Sequence, residues 1–161
     1  MSLHSPSAHP VDGTKLRFGL VAARFNEELV AALLSRLVLG LKGAGVKGQN
    51  LTLLRVPGSH EVPWAAARLA AAGKCDCVVA LGVLIGGDTN HHELVGQSVA
   101  HALQRVALDT GVPVINGVIV TDNLAQARAR CTGRINRGAE FARAALAMAA
   151  LKRRLPRGGR A

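Results

Sequence analysis

Two histidines follow a glycine turn in the run Gly86-Gly87-Asp88-Thr89-Asn90-His91-His92. Glycines let a backbone approach a ligand closely and adopt positive φ. Free N–H groups at a helix start favour an anion. Histidine is the side chain best suited to moving protons near neutral pH, and the positive pole of a helix favours its uncharged, proton-accepting form. The stretch therefore reads as a phosphate site beside a proton carrier. A structural turn with an Asp/Thr helix cap is the competing reading of the same residues. The run contains neither G-x-G-x-x-G nor G-K-[ST], so it is no dinucleotide fingerprint and no Walker loop.

Other candidates lie elsewhere in the chain. Glu61, in Val56-Pro57-Gly58-Ser59-His60-Glu61, is a carboxylate able to accept hydrogen bonds from a polyol or an amine, or else an ordinary first-turn helix acid. Phe25 is one of three phenylalanines and falls just past an apolar run, as a stacking surface or a core plug. Arg130 and Arg137 flank Cys131-Thr132-Gly133-Arg134-Ile135-Asn136 and suit bidentate contact with phosphate, or are simply surface charges.

Positioning these residues requires a regular alternation of elements. Leu16–Ala23, Asn50–Val56, Cys75–Leu84 and Gly111–Val120 are apolar runs of strand length. Helical spacing links Leu29, Val30, Leu33, Leu34, Leu37 and Leu41, with Asn26 as N-cap and Glu27 and Glu28 in the first turn. Further helices are predicted from the Pro57–Pro63 turn to about Ala72, over His91–Asp109, after Thr121-Asp122-Asn123 to a break near Gly133, and over Asn136 to about Lys152. Strictly alternating strands and helices imply an α/β fold: a three-layer arrangement with a four-stranded parallel sheet, right-handed crossovers and helices on both faces. Ligands in such sheets bind outside the carboxyl ends of the strands, which is where the candidate segments fall.

Composition narrows the class. At 161 residues and 49% hydrophobic content the chain has enough apolar surface for a core, and no apolar run is long enough to span a membrane. Residues 1–15 contain Pro6, Pro10 and Gly13 and are expected to be a flexible arm rather than a signal peptide. Residues 16–152 are expected to form one α/β domain, followed by a basic flexible tail over 153–161. From Leu151 on, Lys152, Arg153, Arg154, Arg157 and Arg160 meet no acid and supply half of the +10 net charge. That run reads as a solvated, fraying end or, alternatively, as a tether to RNA or another polyanion. Cys75, Cys77 and Cys131 lack zinc-type spacing and read as packed, reduced thiols in keeping with the cytoplasm.

Several motifs together resemble the lumazine synthase family. They are Phe25-Asn26-Glu27-Glu28, Val56-Pro57-Gly58-Ser59-His60-Glu61-Val62-Pro63, Gly82 to His91, Pro113-Val114-Ile115-Asn116-Gly117-Val118, and Asn123-x-x-Gln126-Ala127-x-x-Arg130 with Asn136-Arg137-Gly138. The resemblance covers about Leu16 to Leu151, and its specificity lies in the ordered set. It implies a flavodoxin-like sheet and a transferase of riboflavin biosynthesis. The substrates would be 5-amino-6-ribitylamino-2,4(1H,3H)-pyrimidinedione and 3,4-dihydroxy-2-butanone 4-phosphate; the products would be 6,7-dimethyl-8-ribityllumazine, phosphate and water. No metal or organic cofactor is implied.

By position, the resemblance has Phe25 stacking on the pyrimidine, while Asn26, Ser59 and Glu61 hold the ribityl chain and its surroundings. Leu84 and Ile85 line the pyrimidine pocket, Asp88 and Thr89 offer N–H groups to phosphate, and His91 shuttles protons. Arg130 clamps the phosphate from a neighbouring subunit, and Arg137, where a lysine is usual, lines the same shared site. The family forms pentamers, and in some members twelve pentamers make an icosahedral shell. His60 and His92 replace usual aromatics, Gly86 a frequent arginine, and Asn116 a phenylalanine that lies against the pyrimidine, so His60 and Asn116 belong to the altered pocket wall. The Arg130–Arg137 spacing is one residue shorter than usual.

Overall fold

The computed structural model of the chain describes residues 10–155. Its order is β1 (Phe18–Ala23), α1 (Glu27–Gly43), β2 (Leu51–Val56), α2 (Val62–Ala71), β3 (Cys77–Ile85), α3 (His91–Thr110), β4 (Val114–Thr121), α4 (Leu124–Cys131) and α5 (Arg137–Arg154). The four strands form one sheet in the order β2-β1-β3-β4, and every pairing is parallel. This is the expected three-layer, flavodoxin-like arrangement. Strands β1 and β3, central in that order, are apolar almost throughout because helices cover both faces.

Alternation along each strand divides the core in two. Phe18, Leu20 and Ala22 of β1 and Val79, Leu81 and Val83 of β3 face α1, α4 and α5. The intervening Val21, Ala23, Val78 and Ala80 face α2 and α3. Helix α1 buries Leu29, Val30, Leu33, Leu37 and Leu41 as one stripe, which is its predicted face. At roughly 1.5–3 kcal/mol for each large buried side chain, that stripe outweighs any difference in helix propensity along α1. Pro63 sits in the first turn of α2, where a missing N–H costs no hydrogen bond.

Some local expectations change. Asn26 does not cap α1 with its side chain; it adopts a left-handed conformation at φ 54°, and its amide is used elsewhere. The first turn of α3 likewise has no side-chain cap from Asn90, and Asp88 and Thr89 precede the helix. Asn123 does cap α4, accepting a hydrogen bond from Gln126 N–H at 3.0 Å.

The basic end also differs from a free charge run. Helix α5 continues to Arg154. Lys152 donates to Cys75 C=O at 3.0 Å, and Arg153 makes a two-pronged contact with both oxygens of Asp76 at 2.9 and 2.7 Å. Arg153 also donates to Lys15 C=O, and Gly13 N–H donates to Ala44 C=O at 2.8 Å, so residues 13–15 lie against the body. Residues 1–9 of the expected arm and 156–161 of the expected tail lie outside the described residues. The three cysteines are buried. Burial raises the Cys75 thiol, pushes Cys77 up to about 12 and Cys131 up to about 11, so all three remain protonated and unreactive at neutral pH. Among the described residues no helix is long and apolar enough to cross a membrane.

Candidate active site

The strand order reverses between β1 and β3. After β1 the chain leaves toward the α1 face, and after β3 toward the α3 face, so the two connections part and leave a crevice at their carboxyl ends. Phe25 and Asn26 stand on one side and Gly86 to His92 on the other. Asn26 bridges them: its Nδ2 donates to Val83 C=O at 2.9 Å. The left-handed backbone at Asn26, which Asn tolerates better than most residues, turns that amide toward β3.

The loop after β2 closes onto the same end. Arg24 N–H donates to Val56 C=O at 2.9 Å and Phe25 N–H to Pro57 C=O at 3.1 Å, extending the β1–β2 pairing beyond the sheet. Ser59, His60 and Glu61 form one 3-10 turn. The Glu61 carboxylate accepts from Gly58 N–H at 2.8 Å and so is held on the loop that carries Phe25's partner carbonyl. Ser59 is buried, its Oγ has no hydrogen-bond partner among the described residues, and it packs over Gly82. A side chain at Gly82 would lie 2.4 Å from that oxygen. His60 is exposed on the rim. Phe25 is 74% exposed, so it is no core plug of the chain.

The turn after β3 is held from β4. Gly86 N–H donates to Thr121 C=O at 2.7 Å, and a Cβ on Gly86 would meet Asp122 C=O at 2.5 Å. Leu84 and Ile85, at the end of β3, are half-buried beside Val120 and Thr121. Gly87, Asp88, Thr89 and Asn90 are exposed and lead into α3, with His91 exposed and His92 half-buried in its first turn. The N–H groups of His91 and His92 at the start of α3 have no backbone partner among the described residues, and Asn90 supplies no side-chain cap, the condition for accepting an anion. A cavity of about 190 Å³ lined in part by Arg17, Thr52, Lys74 and Cys75 lies at the other end of the sheet, where the strands begin, and is unconnected with this crevice.

One chain does not bring all the candidates together. Arg130 lies in the last turn of α4 and donates to Gln126 C=O at 3.0 Å; Arg137 opens α5 and pairs with Glu140. Both helices cover the α1 face, whereas His91 begins a helix on the opposite face. Asn116 lies in β4, the sheet edge farther from β1, level with Ala80 in mid-sheet. Its Oδ1 accepts from Val118 N–H of the same strand at 3.0 Å. The crevice thus unites Phe25, Asn26, Ser59, Glu61, Leu84, Ile85 and the turn to His91, and leaves Arg130, Arg137 and Asn116 on other surfaces.

Comparison with known proteins shows the family. The family described as 6,7-dimethyl-8-ribityllumazine synthase matches residues 15–153. The chain belongs to that family. It is 42% identical over 141 residues to the 6,7-dimethyl-8-ribityllumazine synthase of Paraburkholderia phymatum, covering 88% of this chain and 80% of the relative. It is 42% identical over 143 residues to that of Thermococcus gammatolerans, covering 89% and 92%, and 43% identical over 141 residues to that of Stenotrophomonas maltophilia strain K279a, covering 87% and 91%. The chain is accordingly an enzyme, a transferase of the lumazine synthase family. The match begins at Lys15 and ends at Arg153, and so includes both partners of the Asp76–Arg153 contact.

Two features of the site are invisible to motif reading. The Asn26–Val83 bridge depends on a left-handed backbone that the sequence marks only by an asparagine after a strand. The closeness of Gly82 to Ser59 depends on how the β2 loop folds over β3; the glycine itself was the one available signal.

Proposed function

We propose that the chain condenses 5-amino-6-ribitylamino-2,4(1H,3H)-pyrimidinedione with 3,4-dihydroxy-2-butanone 4-phosphate, giving 6,7-dimethyl-8-ribityllumazine, phosphate and water in riboflavin biosynthesis. The observation that carries this reading is the β1/β3 crevice, which presents an exposed aromatic ring on one wall and an uncapped helix start with His91 on the other. Phe25 stacks on the pyrimidine. Asn26, Ser59, His60 and Glu61 surround the ribityl chain, and Leu84 and Ile85 border the ring. The N–H groups near Asp88 and Thr89 receive the phosphate. Imine formation, loss of phosphate and ring closure each need proton transfers, which His91 serves in turn. Holding two reactants in register supplies much of the remaining acceleration.

The clamp comes from a second copy. Arg130, Arg137 and Asn116 lie away from their own crevice, which supports a site shared between subunits in a homo-oligomer, a pentamer either alone or as one of twelve in a sixty-subunit shell. Residues 16–152 act as one domain, and the buried thiols suit a reducing cytoplasm. The reaction is read by incubating the protein with both substrates and following lumazine absorbance. Product above the uncatalysed rate is expected; a bound pyrimidine without product would leave a binding module and contradict the reading.

A further inference from the structure

We infer that Arg36 is a positioning residue for the phosphate clamp, acting from α1 on the corner between α4 and α5. This rests on the functional reading above, which gives Arg130 the phosphate and has Arg137 line the same shared site. The corner is short: α4 ends at Cys131 and α5 begins at Arg137. Arg36 spans it. Its Nη1 donates to Gly133 C=O at 2.9 Å and its Nη2 to Thr132 C=O at 2.5 Å. Those carbonyls follow the last turn of α4, where a cation is favoured and unsatisfied acceptors collect. The same residue also meets the start of α5: a side chain at Gly138 would fall 2.7 Å from Arg36 Cβ and 2.6 Å from Leu33 C=O. The first turn of α5 therefore rests directly on the α1 backbone.

Arg130 and Arg137 both adjoin these contacts. Arg130 is two residues before Thr132, and Arg137 is next to Gly138. Asn136 completes the corner in a left-handed conformation at φ 46°, its Oδ1 accepting from Ala139 N–H at 3.2 Å. With the α4 end tied by the Arg36 guanidinium and the α5 start seated on its Cβ, Arg130 and Arg137 are held at a set distance and angle. A guanidinium can serve two separate carbonyls from a planar fork, which a lysine ammonium on a flexible stem reproduces less well. None of these atoms reaches the reacting centre, so the effect passes through the clamp.

The test compares wild type, Arg36→Ala, Arg36→Lys, Arg130→Ala and the Arg36→Ala/Arg130→Ala double variant. Each is measured for kcat, for KM of both substrates, for melting temperature and for calorimetric binding of inorganic phosphate. Arg36→Ala should raise KM for the phosphorylated substrate roughly tenfold and weaken phosphate binding in parallel, with KM for the pyrimidinedione within about twofold. Arg36→Lys should recover part of the loss. In the Arg130→Ala background the Arg36→Ala change should cost little more, because neighbours acting through one group are not additive. An active Arg36→Ala protein with a lower melting temperature but unchanged affinity for phosphate would overturn the inference, as would an equal rise in both KM values. Wild-type protein that neither forms lumazine nor binds phosphate would overturn the functional reading, and this inference with it.

Discussion

Gly86 and His91 sit five residues apart and test different parts of the chemistry. The space for a side chain at Gly86 is taken by the backbone carbonyl of Asp122 at 2.5 Å, and a backbone atom cannot rotate away. Gly86→Ala should displace the turn, lowering kcat/KM about tenfold or more while costing about 1–3 kcal/mol of stability, as overpacked sites do. Melting and steady-state rates on the same preparation check this; full activity would mean that the turn has slack. His91 is exposed, and its side chain makes no hydrogen bond among the described residues, so His91→Ala should leave the melting temperature unchanged. Turnover should fall by about 10²–10⁴, the usual worth of a positioned proton carrier. An unchanged kcat would remove His91 from the mechanism. At this scale much of the site was legible, because post-strand positions alone select Phe25, Glu61 and the Gly86–His91 turn. The role of Asn26 was not: its polar side chain suits a helix cap equally well, and only the left-handed backbone sends the amide to Val83.

The elements were readable because apolar spacing changes period cleanly between strands and helices. The stripe of α1 and the unbroken apolar runs of β1 and β3 are burial patterns that local chemistry dictates. What the end of α5 packs against was not readable in the same way. Lys152 and Arg153 look like the start of a solvated charge run until Asp76, 77 residues earlier, is brought against them. Long-range pairing of this kind leaves no periodic signature. It also makes a prediction. Burial pushes the Asp76 carboxyl up, but hydrogen bonds from Arg153 and from Arg17 N–H outweigh it and hold the group below its ordinary range. A depressed folded-state value stabilises the fold above the unfolded-chain value of about 3.9, and the increment disappears as pH falls through the folded value. Asp76→Asn should therefore cost about 1–2 kcal/mol at neutral pH, toward the low end because Arg153 is partly exposed, and should flatten the acid limb of stability below about pH 4. Parallel curves for both proteins across that range would show that the pair contributes nothing.

For the whole molecule the decisive feature is an absence of convergence within one chain. The sheet places His91 on one face and the helices bearing Arg130 and Arg137 on the other. Sequence order cannot reveal this, since residues from one motif set can serve two neighbouring sites, and the resemblance alone supplied the expectation of a shared site. A second copy, related by rotation, can present its arginines to the first crevice, and a closed ring repeats that arrangement at every boundary. The measurement that tests this most directly is complementation between two inactive variants, His91→Ala and Arg130→Ala, dissociated together and reassembled. Each alone should have little activity. In a random mixture about a quarter of the boundaries should join an intact His91 to an intact Arg130. Lumazine formation should then recover to about a quarter of the wild-type rate, and only in the reassembled mixture. Recovery no greater than the sum of the separate variants would contradict the account and place both residues in the service of a single chain.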